Sequence, residues 1–436
     1  MSRSAQMVVG FTDAWMVADL GEAALAATTA GALNVLALLI FPMGAVFIVA
    51  SFVSQLMGRG DAGAARRYGV YGLLISAVAQ LISWAAIPVV PGFVGLMSHP
   101  PEVAAAMSDY IAIRLSTGGA VVGLEALANY YAGLNNTRLP MAAQVLAMVL
   151  NVGLNWVLIG GHLGAPALGV KGAAIASAVA SAVAFLALAA CFAASAGAPR
   201  ARAGRVSWRE LRRVVELGVP AGLNWFLEFA AFVFFIDLVV ADLGASPLAA
   251  MLAVFQLNQL AFMPAFAVAS AGAVFVGQAI GADQREHVRG IGRMTMGVNL
   301  AWQGLVALAY LAVPALLLSL FAPPVGGEVF LAVGASVLRL AAAWQLFDAV
   351  ANTLAEALRA AGDTKFTSIA RALLAWGLFV PGSWVWVRVY GGGTTAATLC
   401  TVLYLAALAG ILYVRYRGGA WRRIELVEAA PSPRTS

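Results

Sequence analysis

The 436 residues are 62% hydrophobic and only 11% charged, with a mean hydropathy of +0.88 and a formal net charge of +6. That balance excludes a water-soluble globular domain. It does not call for nucleic acid either, because the arginines sit in connections between apolar stretches and only Lys171 and Lys365 are lysines. Cys191 and Cys400 stand alone in separate apolar stretches, and His99, His162 and His287 are scattered near stretch ends, so no disulfide framework or metal spacing is present in the sequence.

In chain order the apolar stretches predict twelve spans, at 5–19, 32–56, 70–95, 109–134, 140–161, 170–196, 216–241, 251–280, 293–321, 333–358, 367–390 and 395–415. A bilayer takes about 20 residues of helix, so the first is too short to cross alone. The words VADLGEAALAA (17–27) return as VADLGASPLAA (240–250), an offset of 223 residues. Without a gap, that offset also places Gln55 on Gln278, Gly58 on Gly281, Arg66 on Arg289 and Pro91 on Pro314. The chain is one membrane unit written twice. Set against span seven, span one should begin before Met1, which predicts a truncated first helix or a start codon placed too late.

Backbone groups in lipid must be satisfied within each span, so an all-α integral membrane protein is expected. Pro42, Pro88, Pro220, Pro264, Pro314 and Pro381 predict kinks, and runs such as GVKGAAIASAVASAVA (169–184) predict close helix packing.

Loop charge sets orientation. Arg59, Arg66 and Arg67 follow span two, Arg138 follows span four, and Arg200, Arg202, Arg205, Arg209, Arg212 and Arg213 separate spans six and seven. Arg285, Arg289, Arg293, Lys365, Arg415, Arg417, Arg422 and Arg423 continue the alternation. By the positive-inside rule both termini are cytoplasmic. Six spans per copy is an even number, so the two six-helix repeats run parallel. The expected division is an N-terminal lobe at 1–197, a basic cytoplasmic linker at 198–213, a C-terminal lobe at 214–417 and a cytoplasmic tail at 418–436.

Acids inside spans are costly and normally face a cavity. Asp13, Glu228, Asp237 and Asp348 lie in or near span interiors, with Glu125 in span four and Glu356 near the end of span ten. A capping or ion-pair role suits Asp19 and Asp242, which end spans, and Asp109 near Arg114. It suits Asp13, Glu228 and Asp348 poorly, for they have no basic residue within a turn or two of sequence. Asn151 and Asn155 form an i, i+4 pair on one face of span five. There is no GxxxxGK[ST] loop, HExxH or cysteine cluster, so ATP hydrolysis, zinc chemistry and any cofactor are not expected. Parallel repeats with isolated internal acids point to a secondary transporter driven by an ion gradient.

Several stretches carry a family resemblance: GFTDAWMVADLGEAALAA (10–27), QLMGRGD (55–61), LNNTRLPM (134–141), NVGLNWVLIGGHLGAPALGVKGAAIAS (151–177), LGVPAGLNWFLE (217–228), VGQAIGAD (276–283) and FDAVANTLAEALRAAGDTK (347–365). Together they resemble the MATE family of multidrug and toxic compound extrusion transporters, over nearly the whole chain. MLAVFQLNQL (251–260) departs from it by lacking a His-Gln pair. In the NorM-like branch the resemblance implies a cation site, with Na⁺ as one candidate, at Glu228 and Asp348. It places the first-span acid on Asp13, and puts Asn155 where another branch carries Asp.

The expectation is a monomeric efflux antiporter in a bacterial inner membrane, without nucleic-acid partners. It would exchange organic cations, drugs or other amphipathic small molecules for inbound Na⁺ or H⁺. A flippase of the same superfamily, moving a lipid-linked oligosaccharide, is the alternative. An intramembrane enzyme would need a nucleophile–base pair or a metal triad, and the spans hold neither, so no enzymatic role is expected.

Overall fold

The computed structural model describes residues 12–13, 15–97, 99–194, 206–322 and 327–427. Residues 198–205 of the basic linker and 428–436 of the tail lie outside them. The repeat found in the sequence is visible in the backbone. Gly21 (φ 106°, ψ 171°) and Gly244 (φ 104°, ψ 170°), the glycines of the two VADLG words, break the chain identically before spans two and eight. A residue with a Cβ rarely adopts that φ, which accounts for glycine at both positions. Asn135 and Gly362 likewise both take positive φ after spans four and ten. Their successors make equivalent bonds, Asn136 N–H to Tyr131 O and Asp363 N–H to Leu358 O, each 2.9 Å.

Among the described residues every regular element is helical. Nine helices are long and apolar enough to cross a membrane, and a tenth is the bent pair Pro101–Leu115 and Gly118–Gly133. Span seven is the helix Trp208–Phe235, prolonged by a π-helical turn at Ile236–Val240, and among the described residues of span one 12–13 and 15–18 are helical. The protein is a multi-pass membrane protein, with up to ten such spans among the described residues. Leucines such as Leu81, Leu305 and Leu308, each more than 60% exposed, mark lipid-facing surface rather than an unfinished core.

Three prolines act as expected. Pro88 falls in the 3₁₀ turn Ile87–Val89, Pro314 follows the non-helical Val313, and Pro381 follows a π-helical stretch, Ala375–Phe379. Pro42, Pro220 and Pro264 lie inside helices. The sequence did not reveal the 48° bend in span four. It occurs at Ser116 and Thr117, directly before Gly118 and Gly119, where small residues hold the helix weakly and no proline announces the break.

The chain divides into two compact units: residues to Val53 with Asp61–Gly222, and Ser54–Gly60 with residues from Leu223. In the first, span five packs on six, span three on four, and the start of span four on two. In the second, span ten is the axis, packed on spans eight, nine and twelve. An aromatic chain in this core runs from Phe235 to Phe379 (4.8 Å between ring centroids) and on to Tyr404 (5.3 Å).

Candidate functional site: an ionisable cluster in each unit

In the first unit, spans one, five and six converge on Asp13, which is only 5% exposed. Span five presents Asn151 and Asn155 one turn apart, and span six presents Ser177. Asn155 Nδ2 donates to Asp13 Oδ1, and Ser177 Oγ donates to Asp13 Oδ2 at 2.8 Å. Asn151 Nδ2 donates to Ser177 Oγ at 2.9 Å, and Asn155 Nδ2 also reaches Asn151 Oδ1 at 3.2 Å. Both carboxylate oxygens therefore have a donor. Among the described residues Asn155 Oδ1 is buried without a hydrogen-bond partner. The guanidinium of Arg114 acts electrostatically on Asp13, and its Nη1 is also buried and unpartnered.

In the second unit, spans seven, ten, eleven and twelve converge. Arg371 Nη1 donates to both oxygens of Glu228, at 3.1 and 2.9 Å. Asp348, half-buried on span ten, lies in the electrostatic field of both Arg371 and Glu228. Tyr404 feels all three, and its hydroxyl is buried without a partner. Trp376 Nε1 donates to the carbonyl of Leu227 at 3.1 Å, tying span eleven to span seven one residue before Glu228. The Glu228 side chain is 42% exposed. A charged group that open within a membrane span faces an aqueous space rather than lipid.

Each acid named from the sequence now has a place. Glu228 has no basic neighbour along its own span, yet Arg371 pairs with it from 143 residues away, which corrects the reading of an isolated acid. Asp109 pairs with Lys171 at 3.0 Å, and the Arg114 that follows it in sequence acts electrostatically on Asp13. Asp242 pairs with Arg388 at a span end, as expected of a structural acid. Glu125 accepts from Asn129 at 3.2 Å, and Glu356 pairs with Arg359 one turn on. Asp237 lies exposed on the π-helical turn. The four residues that sequence reasoning missed are Arg114, Ser177, Arg371 and Tyr404. A signal existed for one of them: Arg371 is an arginine inside the predicted span 367–390.

A helical, multi-pass membrane protein built from two repeated units, each holding a buried or half-buried ionisable cluster on converging spans, belongs to the class of membrane transporters. A family model described as MatE matches residues 1–157 and 220–385. A probable multidrug resistance protein NorM of Rhizobium meliloti (strain 1021) is 30% identical over 444 residues, covering 98% of this chain and 92% of the relative. A second probable NorM, of Neisseria meningitidis serogroup B, is 29% identical and covers 93% and 90%. Among solved structures, an outward-facing multidrug resistance MATE family transporter of the MOP superfamily gives a TM-score of 0.87 at 19% identity, covering 97% and 94%. A MOP superfamily transporter from Pyrococcus furiosus Vc1 gives 0.85 at 17% identity, with the same coverage. The chain belongs to the MatE family.

Proposed function

We propose that this protein is a multidrug efflux transporter: it expels organic cations or amphipathic compounds in exchange for inbound H⁺ or Na⁺. The observation that carries the reading is the Glu228–Arg371–Asp348 cluster, a charged group on a half-open face of four converging spans in a MatE chain. Such a cluster can change its net charge on binding an ion. A ligand shifts a conformational equilibrium only through its different affinity for the two states. A cluster whose charge depends on ion occupancy supplies that difference, and substrate release follows from it.

Asp13, Asn151 and Asn155, with Ser177, form a second ion- or substrate-responsive group, buried deeper and more fully hydrogen-bonded. The NorM relatives, named for multidrug resistance, favour efflux over movement of a lipid-linked sugar. The protein works as a monomer in the inner membrane, its six-helix lobes joined by the basic linker and both termini cytoplasmic. A single cysteine replacing Arg289 should accordingly label only from the cytoplasm.

The test is expression in a host deleted for its own efflux pumps. The protein should lower steady-state accumulation of a cationic dye, and Glu228→Gln or Asp348→Asn should restore accumulation at unchanged membrane abundance. Dye accumulation equal to that of the empty host would refute the efflux reading.

A further inference from the structure

We propose that Arg371 is a tethered counter-cation that takes the place of a metal ion at Glu228, so that this site does not take up sodium. The inference deepens the efflux reading and rests on it for its consequence, though not for its geometry. Sodium is a hard cation that binds through several oxygen ligands gathered around it. Here both oxygens of Glu228 already accept from Arg371 Nη1, at 3.1 and 2.9 Å. A sodium ion seated on Glu228 would have to displace that guanidinium or share the carboxylate with it, and like charges at such range repel.

The charge inventory is small. Glu228 on span seven and Arg371 on span eleven are in direct contact, and Asp348 on span ten and Tyr404 on span twelve lie within electrostatic range of both. Span eight, Ala245–Gly281, which also packs here, contains no ionisable side chain. On the helix of span ten the other charged groups are Glu328, Arg339 and the mutually paired Glu356 and Arg359, and span seven adds the exposed Asp237 and the charged residues of its first turns, between Arg209 and Glu216. With both carboxylates ionised the cluster carries one net negative charge. A guanidinium stays protonated through any physiological range, so Arg371 keeps its positive charge beside Glu228. It holds Glu228 in a pair, whereas Asp348 has no hydrogen-bond donor among the described residues. Arg371 is therefore a specificity residue: it selects the coupling ion by occupying the position a metal cation would need.

The test measures binding and transport separately. Purified full-length protein is dialysed against radioactive sodium with choline as the balancing cation. Wild type should show no sodium binding that Glu228→Gln removes. Arg371→Met, which leaves two carboxylates without their counter-cation, should gain saturable sodium binding, lost again in Arg371→Met with Glu228→Gln. Saturable binding in wild type that disappears in Glu228→Gln overturns the proposal, and this comparison stands even if Arg371→Met does not fold. In inverted vesicles, dye transport by wild type should follow a pH gradient and be unchanged, within twofold, by replacing sodium with choline. Transport that collapses without sodium also overturns the proposal. Transport absent under every gradient refutes efflux instead, and leaves the sodium-binding result to decide the role of Arg371.

Discussion

Asn155 donates its side-chain amide to the carboxylate of Asp13 across 142 residues of sequence, joining span five to span one. Both residues are almost wholly buried, at 0% and 5% exposure. Removing a donor from a buried acceptor leaves that acceptor short of a partner, at a cost of about 1–3 kcal/mol. Asn155→Ala should therefore lower the melting temperature in detergent. Asp13→Asn with Asn155 intact should cost less, because a neutral amide needs less from its surroundings. If Asn155→Ala melts with wild type, this bond does not stabilise the first unit.

The start of span seven is held by charge. Arg67 Nε and Nη2 donate to Glu210 at 3.0 and 2.7 Å, and Tyr71 OH donates to it at 2.6 Å. The Ser207 N–H completes the set by donating to Tyr71 OH at 2.9 Å. Burial disfavours ionisation of Glu210, but the hydrogen bonds from Arg67 and Tyr71 outweigh it and hold the carboxyl below the usual glutamate range. A depressed carboxyl contributes stability above its ordinary titration and loses it as pH falls through the folded value. A spin label at Ser207 should thus be immobile at neutral pH and mobile only well into the acid range. In Arg67→Met it should be mobile at neutral pH already. The pair is partly exposed, so its effect on global stability should stay within about 1 kcal/mol. Label mobility that is independent of pH would remove Glu210 from this role.

Gly281 tests the close packing in the second unit. A Cβ there would overlap the carbonyl of Gln55, and one at Gly58 would overlap the carbonyl of Gln278, the positions that the 223-residue repeat makes equivalent. Gln55 Nε2 donates to Ala360 O at 2.7 Å beside them. Gly281→Ala should destabilise by about 1–3 kcal/mol through overpacking against backbone that cannot yield. Gly290→Ala, in a helix and with no atom near its missing Cβ, should be neutral or stabilise by up to about 1 kcal/mol. Equal melting temperatures for the two variants would contradict the packing account.

Much of this was legible in the sequence, for reasons that are physical. Hydropathy marks spans because lipid demands continuous apolar helix, and the doubled VADLG marks a repeat because both copies need glycine at a φ near 105°. Asp13, Glu228 and Asp348 stood out because acids are rare in lipid. Their partners did not, since Ser177 is an ordinary small residue of a packed span and Tyr404 reads as core. Arg371 was the decisive omission: ion pairs across spans leave no local spacing, and an acid that seems alone along its helix can be paired in space. The bend at Ser116 went unseen because no proline marks it.

The account stands or falls on Glu228 and Asp348. Dye efflux from inverted membrane vesicles under an imposed pH gradient should be lost at least tenfold in Glu228→Gln and in Asp348→Asn, while Asp237→Asn, altered at an exposed position, stays within twofold of wild type. Wild-type rates in Glu228→Gln and Asp348→Asn, at equal protein abundance, would contradict the account.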